Sequence, residues 1–316
     1  MVEPIAQLAA HVRAQLARVI VGQPAFVDQL LVVLLCRGHA LVEGVPGLAK
    51  TLTVKALARI LQLRFQRVQC TPDLMPADVL GTNVFNTATG AFALHRGPIF
   101  TNLLLVDEIN RTPPRTQSAL LEAMEERQVT IDGARHVLPE FFTVFATQNP
   151  IEFEGTYPLP EAQLDRFLMK IRLDYPAAAE ESRILEVHQE GFDARELDRM
   201  ELTPVDAALL NAAVEGVKGV RVEPGLFGYI AEVCRRTRDW PSLTLGASPR
   251  AAVNLMLVAK ALAGIEGRDY ILPDDVKAAA PAVLRHRLIL RPEADLEGLS
   301  ADSVIADVLA AVPIPK

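Results

Sequence analysis

The run LVEGVPGLAKT at residues 41–51 constrains this chain more than any other segment. Leu41, Val42 and Glu43 read as an apolar strand entering a turn at Gly44. Lys50 and Thr51 close the turn, and a helix follows with Val54, Leu57, Ile60 and Leu61 on one side. Strand, loop of exposed N–H groups, lysine, hydroxyl and helix N-terminus is the order that cradles a nucleoside triphosphate. Gly44 and Gly47 let the backbone approach phosphate oxygens without a Cβ, Lys50 reaches the β/γ-phosphates, and the Thr51 hydroxyl suits Mg2+. Pro46, Leu48 and Leu52 complete the expected nucleotide-binding stretch. One letter departs from GxxxxGK[ST]: Ala49 stands where the second glycine belongs, which requires a negative or only mildly strained φ.

A strand feeding a helix implies more of the same, and the chain supplies it. Apolar runs at 40–43, 65–70, 103–107, 142–147 and 167–173 read as strands, with helical spacing between several of them. The expectation is an α/β fold, a five-stranded parallel sheet covered on both faces. Helical patterns at 5–19 and 27–36 precede the first strand. Asp132-Gly133 between 129–131 and 136–138 signals a hairpin just before the fourth strand. A second hairpin, 84–85 with 92–94 around a turn ending in Thr89-Gly90, interrupts the path from second strand to third. After residue 175 strand patterns vanish, and helices are expected near 180–190, 204–214, 224–237, 249–264, 273–283 and 300–311. Several begin with proline in the first turn. The organisation read from this is an α/β core at 1–175 and a separate all-helical domain at 176–316.

Composition narrows the partners. The net charge is −7, which argues against nucleic acid, since phosphate-backbone affinity needs clustered Lys and Arg. Arg235, Arg236 and Arg238, and Arg285 with Arg287, read as solvated helix faces. Three cysteines without CxxC spacing suit a reducing compartment, and six dispersed histidines offer no HExxH metal pair. The first residues lack a signal-peptide pattern, and no apolar run reaches the ~20 residues a membrane span needs. A cytoplasmic protein without membrane insertion is expected.

Four further positions carry chemistry. Leu103–Val106 form a buried strand ending in Asp107-Glu108, at the end of a parallel sheet where ligands bind. Asp107 can hold Mg2+ through water, and Glu108 can orient and polarise an attacking water. The fourth strand ends in Gln148-Asn149-Pro150, which brings the Asn149 amide beside that acid pair. Arg166 has two readings on the residues alone: an ion-pair partner for Asp165 or Glu161, or an arginine completing a neighbour's site. Ser248 fits an N-cap and Pro249 the first helical position, leaving Arg250 in a first turn where the helix dipole disfavours a cation. That choice points to a role at a γ-phosphate, reached from the helical domain.

Together these segments resemble the AAA+ ATPases: GVPGLAKT their Walker A, LLLVDE their Walker B, ATQN their sensor 1, LDRF their arginine-finger region, and GASPR their sensor 2. The blocks RGPIFTNLLLVDEINRTPPRTQSALLEAMEERQVTIDG and FATQNPIEFEGTYPLPEAQLDRF are similar to the MoxR family, in which alanine at position 49 is usual. The resemblance covers roughly residues 15–290. It implies an αβα core with a helical lid, ATP and Mg2+ as cofactors, and a homo-oligomeric, hexameric ring with ATP between subunits. It also implies Arg166 as a finger acting in trans, Val21-Gly22-Gln23 near adenine, and two hairpins facing the pore or a client. Chaperone-like maturation of protein complexes with a partner carrying a VWA domain is the implied role. A magnesium-chelatase-like motor, a DNA-directed motor and a nucleotide-binding scaffold without turnover are the competing readings.

Overall fold

A computed structural model describes residues 2–88, 90–150 and 155–315. Thr89 of the expected hairpin turn, residues 151–154 of the second family block, and the terminal Met1 and Lys316 lie outside them. In chain order the strands of the α/β part are β1 (Ala40–Gly44), β2 (Phe65–Gln69), β3 (Gly81–Asn86), β4 (Ala91–Arg96), β5 (Leu103–Asp107), β6 (Gln128–Ile131), β7 (Ala134–Val137), β8 (Thr143–Gln148) and β9 (Met169–Leu173). Five of them form one parallel sheet in the order β2-β5-β8-β1-β9. Alternation along each strand fills two cores. Leu103 and Leu105 face one side with Ala40, Val42 and Phe145, while Leu104 and Val106 face the other with Leu41, Val144 and Ala146.

Both hairpins form. Asp132 and Gly133 take φ of 47° and 81°, the left-handed pair that a two-residue hairpin turn demands. The β3–β4 hairpin carries exposed Phe85 and Phe92 in edge-to-face contact, and Asn83 Nδ2 donates to Asp132 Oδ2 at 2.8 Å, joining the two hairpins.

Beyond residue 176 the chain is helical, as expected, with one addition: a short antiparallel ribbon of Leu243–Leu245 with Ile289–Leu290. This part shares apolar contacts with the N-terminal segment. Helix Glu3–Leu16 packs on helices Ala207–Gly219 and Pro249–Ile265, and one continuous apolar cluster runs from Ile5 through Leu30 and Ile171 to Val258 and Val283. Area-driven burial outweighs the sequence boundary here, because each amphipathic helix must cover its apolar stripe with whichever neighbour is nearest.

His39 ties down the N-terminal end of the sheet. Its Nδ1 accepts from the Val144 amide at 2.9 Å, so Nε2 carries the proton and donates to the Met124 carbonyl at 3.1 Å. Burial, reinforced by the nearby Arg127 cation, pushes its pKa down to about 3. The unfolded chain therefore takes up a proton near pH 6.5 that the folded chain refuses. Stability is full above that pH and falls by about 1.4 kcal/mol per unit as the pH drops toward 3. His286, buried and also pushed well below the ordinary value by burial, adds to the same slope. Urea midpoints at pH 7.5 and 5.5 should reveal the loss, and the slope should flatten in His39→Gln.

Candidate functional site

Parallel strands deliver all their C-terminal ends to one edge, and the expected residues collect there. β8 lies between β5 and β1, so the turn after Gln148, which carries buried Asn149, sits between Asp107-Glu108 and the loop that follows Gly44. Lys50 opens helix Lys50–Ile60, whose N-terminus receives no side-chain cap; its first amides keep their hydrogen-bonding capacity for an anion. Lys50 Nζ donates to the Gly44 carbonyl at 2.6 Å. Burial lowers its pKa, and the charges of Asp107 and Glu108 oppose that shift. Thr51 is the next helical residue. Gly47 takes φ of 88° with nothing within 4 Å of where a Cβ would be, an open face suited to a phosphate. Gly44 is glycine for another reason: a Cβ there would meet the Leu173 Cβ and carbonyl at 2.9 Å.

Ala49 is left-handed, with φ of 54° and ψ of 20°, so the negative-φ alternative does not hold. Gln23 and Glu108 are also left-handed, with φ of 57° and 58°. Non-glycine residues in that region cost on the order of 1–3 kcal/mol each, and such strain gathers at functional sites.

The acid pair is held by neighbours that the sequence reading did not include. Arg67 reaches Asp107 Oδ2 at 2.7 Å; Gln69 Nε2 donates to Glu108 Oε2 at 3.1 Å, and Arg111 pairs with the same oxygen at 3.1 Å. The buried Thr147 hydroxyl donates to Asp107 Oδ1 at 2.5 Å and accepts from the Glu108 amide at 2.9 Å. Gln69 and Thr147 were discoverable, since both lie at C-terminal strand ends of the sheet.

Beside the loop opens a cleft of about 840 Å3. Val21, Gln23, Pro46, Gly47, Leu48, Ala49 and Leu52 line it, as expected, together with Tyr175, Ile184, Leu185, His188 and Phe192 from the start of the helical part. An apolar wall of this kind suits a flat base. Gly22 turns the chain at its rim with φ of 71°, where a Cβ would collide with the Glu180 carboxylate at 2.5 Å.

Arg166 and Arg250 are elsewhere. Leu168 donates to the His39 carbonyl at 2.8 Å, which places Arg166 at the N-terminal end of the sheet. Ser248 does cap helix Pro249–Ile265 and Pro249 does open it, yet Arg250 points to Glu125, with Nη1 3.2 Å from Oε1. Arg166 takes the same carboxylate, Nε to Oε2 at 2.9 Å, rather than Asp165 or Glu161; Asp165 is occupied by Arg287 at 2.6 Å. Neither arginine lines the cleft.

A profile of the ATPase family associated with various cellular activities (AAA) matches residues 39–169, and one of the AAA lid domain matches 235–308. The chaperone MoxR1 of Mycobacterium tuberculosis is 43% identical, over 96% of this chain and 81% of its own. The uncharacterized protein YeaC of Bacillus subtilis is 46% identical, over 94% and 92%. A crystal structure of a candidate ATPase from Cytophaga hutchinsonii superposes with a TM-score of 0.90 at 41% identity, over 99% of this chain and 98% of that one. The chain belongs to the MoxR family of AAA+ ATPases.

The residues at this edge fit a Mg2+ ion. The Thr51 hydroxyl and the Asp107 carboxylate are hard oxygen donors, and Mg2+ uses one or two of these beside water and phosphate. The open face of Gly47 leaves room for the phosphates that supply the remaining ligands. Among the described residues no cluster of three or more His, Cys, Asp or Glu could hold a metal by itself. Thr147→Val should cost about 1–3 kcal/mol in chemical denaturation, because it strands the partly buried Glu108 amide and removes a donor from Asp107.

Proposed function

We propose that this chain is the subunit of a ring, hexameric as in the family resemblance, that hydrolyses Mg-ATP between neighbouring copies and uses the cycle to remodel or mature protein complexes. In this reading residues 1–175 hold the nucleotide and 176–316 form the lid. The observation that carries it is a separation. Met169 pairs with Ala40 and Leu173 with Gly44, so Arg166 lies at one end of β1 and the loop begins at the other. At ~3.3 Å per residue the four steps from Ala40 to Gly44 span about 13 Å. That exceeds the reach of an arginine, so a single copy cannot bring Arg166 to its own triphosphate. A second copy can, and Arg250 goes with Arg166 because both are bound to Glu125.

The base enters the cleft beside Val21, Gly22 and Gln23. Lys50 exchanges the Gly44 carbonyl for β- and γ-phosphate oxygens, while the uncapped amides of Gly47–Thr51 surround the β-phosphate. Held by Thr51 and Asp107, Mg2+ would neutralise developing charge on the phosphates. Glu108 orients the attacking water once it leaves Gln69 and Arg111, and Asn149 holds the water and the γ-phosphate in line. Arg166 and Arg250 of the adjacent copy stabilise charge on the transferred group.

The chaperone name of MoxR1 supports a protein client, and the exposed aromatic hairpin offers it a surface. A VWA-domain partner comes with the family resemblance. The net charge of −7 argues against DNA as the track. Among the described residues no helix is long and apolar enough to cross a membrane. The three cysteines are unpaired, as suits a reducing compartment such as the cytoplasm.

Lys50→Ala should lose ATP binding in a fluorescent-nucleotide titration. Glu108→Gln should bind ATP with near wild-type affinity while turnover falls about 10²–10⁴-fold; normal turnover in that variant would remove Glu108 from the mechanism. Inactive Arg166→Ala mixed with inactive Lys50→Ala should regain part of the wild-type rate, because some interfaces then join an intact arginine to an intact loop. Mixed rings no faster than either parent would exclude action in trans.

A further inference from the structure

Glu125 is the point where two parts of the chain meet. Each of its oxygens takes one guanidinium, Arg166 from the turn before β9 and Arg250 from the first turn of helix Pro249–Ile265. All three side chains are partly exposed, at 29%, 38% and 45% for Arg166, Glu125 and Arg250. Ion pairs this open to water add little stability. Glu125 also lies next to the C-terminus of helix Pro114–Glu126, where the helix dipole disfavours a carboxylate. Stability therefore does not account for the arrangement.

The backbone beneath the trio is firmly held. His39 fixes the Met124 carbonyl, and Arg287 binds Asp165 at 2.6 Å and the Phe167 carbonyl at 2.6 Å. Ser248 caps the helix that bears Arg250. What remains adjustable is the side chains. Two guanidinium groups this close repel each other unless a carboxylate lies between them, and one carboxylate cannot occupy the five N–H donors that each of them carries.

We propose that Glu125 is a positioning residue, which holds Arg166 and Arg250 side by side as one cationic fork for the triphosphate bound by an adjacent copy. The proposal rests on the in-trans reading above. Glu125 touches neither the nucleotide nor the attacking water; it sets the spacing of the two arginines and leaves their outer donors to phosphate oxygens.

Glu125→Gln keeps the shape and removes the charge. The expected result is a fall of about 10- to 100-fold in kcat of the assembled ring, with ATP affinity, ring assembly and thermal midpoint unchanged. Glu125→Asp, which keeps the charge, should retain more of the rate. Glu125→Gln mixed with Lys50→Ala should recover activity, as Arg166→Ala mixed with Lys50→Ala does. A wild-type kcat in Glu125→Gln overturns the proposal. So does a lost rate that the mixture fails to restore while the Arg166→Ala mixture recovers, and so does a lowered thermal midpoint or failed assembly with normal kcat per ring. If neither mixture recovers, the in-trans reading itself fails and takes this proposal with it.

Discussion

Hydrogen bonds from β1 to β8 on one side and β9 on the other set the address of every charged group in this chain. Ala40 lies beside Phe145 and Met169, and Glu43 beside Gln148 and Arg172. Because all five strands run the same way, everything that follows a strand arrives at one edge and everything that precedes a strand at the other. The lysine loop, the acid pair and Asn149 follow strands. Arg166 precedes one. A slip of one residue in that register would turn Leu41 and Leu104 into the wrong core, so the burial of both faces keeps the two edges apart.

The price of the loaded edge is backbone strain. Gln23, Ala49 and Glu108 are left-handed residues that flank the cleft or the acid pair, and none of them is glycine. The surrounding contacts determine them: the Thr147 hydroxyl holds the Glu108 amide, and the Ala49 carbonyl accepts from the Thr53 amide and hydroxyl at 2.9 Å. Alanine at 49 allows fewer backbone conformations than glycine in the unfolded chain, which offsets part of the folded-state strain.

Most of the fold was legible in the sequence because its strands are short apolar runs with opposite faces buried, and a period of two leaves a clear trace. The loop and the acid pair were legible for the same reason: chemistry follows strand ends, and strand ends can be counted. Three things were not. Arg166's partner is Glu125, some forty residues away, a pairing set by the packing of helix Pro114–Glu126 against His39. The apolar wall of the cleft comes from Tyr175, Ile184 and Phe192, which look from sequence like an ordinary exposed helix and its flanks. The packing of the N-terminal helix on the helical part was not foreseen, and Ile5 reaches Gly264 so closely that a Cβ there would stand 2.6 Å from its Cδ1. Tertiary burial wrote all three, and no local period records it.

That shared core also joins the cleft to the helix that bears Arg250. Helix Ala178–Gln189 walls the cleft, and helix Pro249–Ile265 carries Arg250 at the opposite end of the sheet. Between them runs a continuous apolar cluster that includes Val19, Ile20 and Leu48 at the cleft and Ala251 and Leu255 behind Arg250. Close-packed interiors shift as units rather than yielding piecemeal. The cleft wall and the helix that bears Arg250 are therefore parts of one packed body. Arg287, buried and bound to both Asp165 and the Phe167 carbonyl, links that body to the turn bearing Arg166. Packed side chains and rigid elements in continuous contact are one physical means by which two distant sites can be coupled.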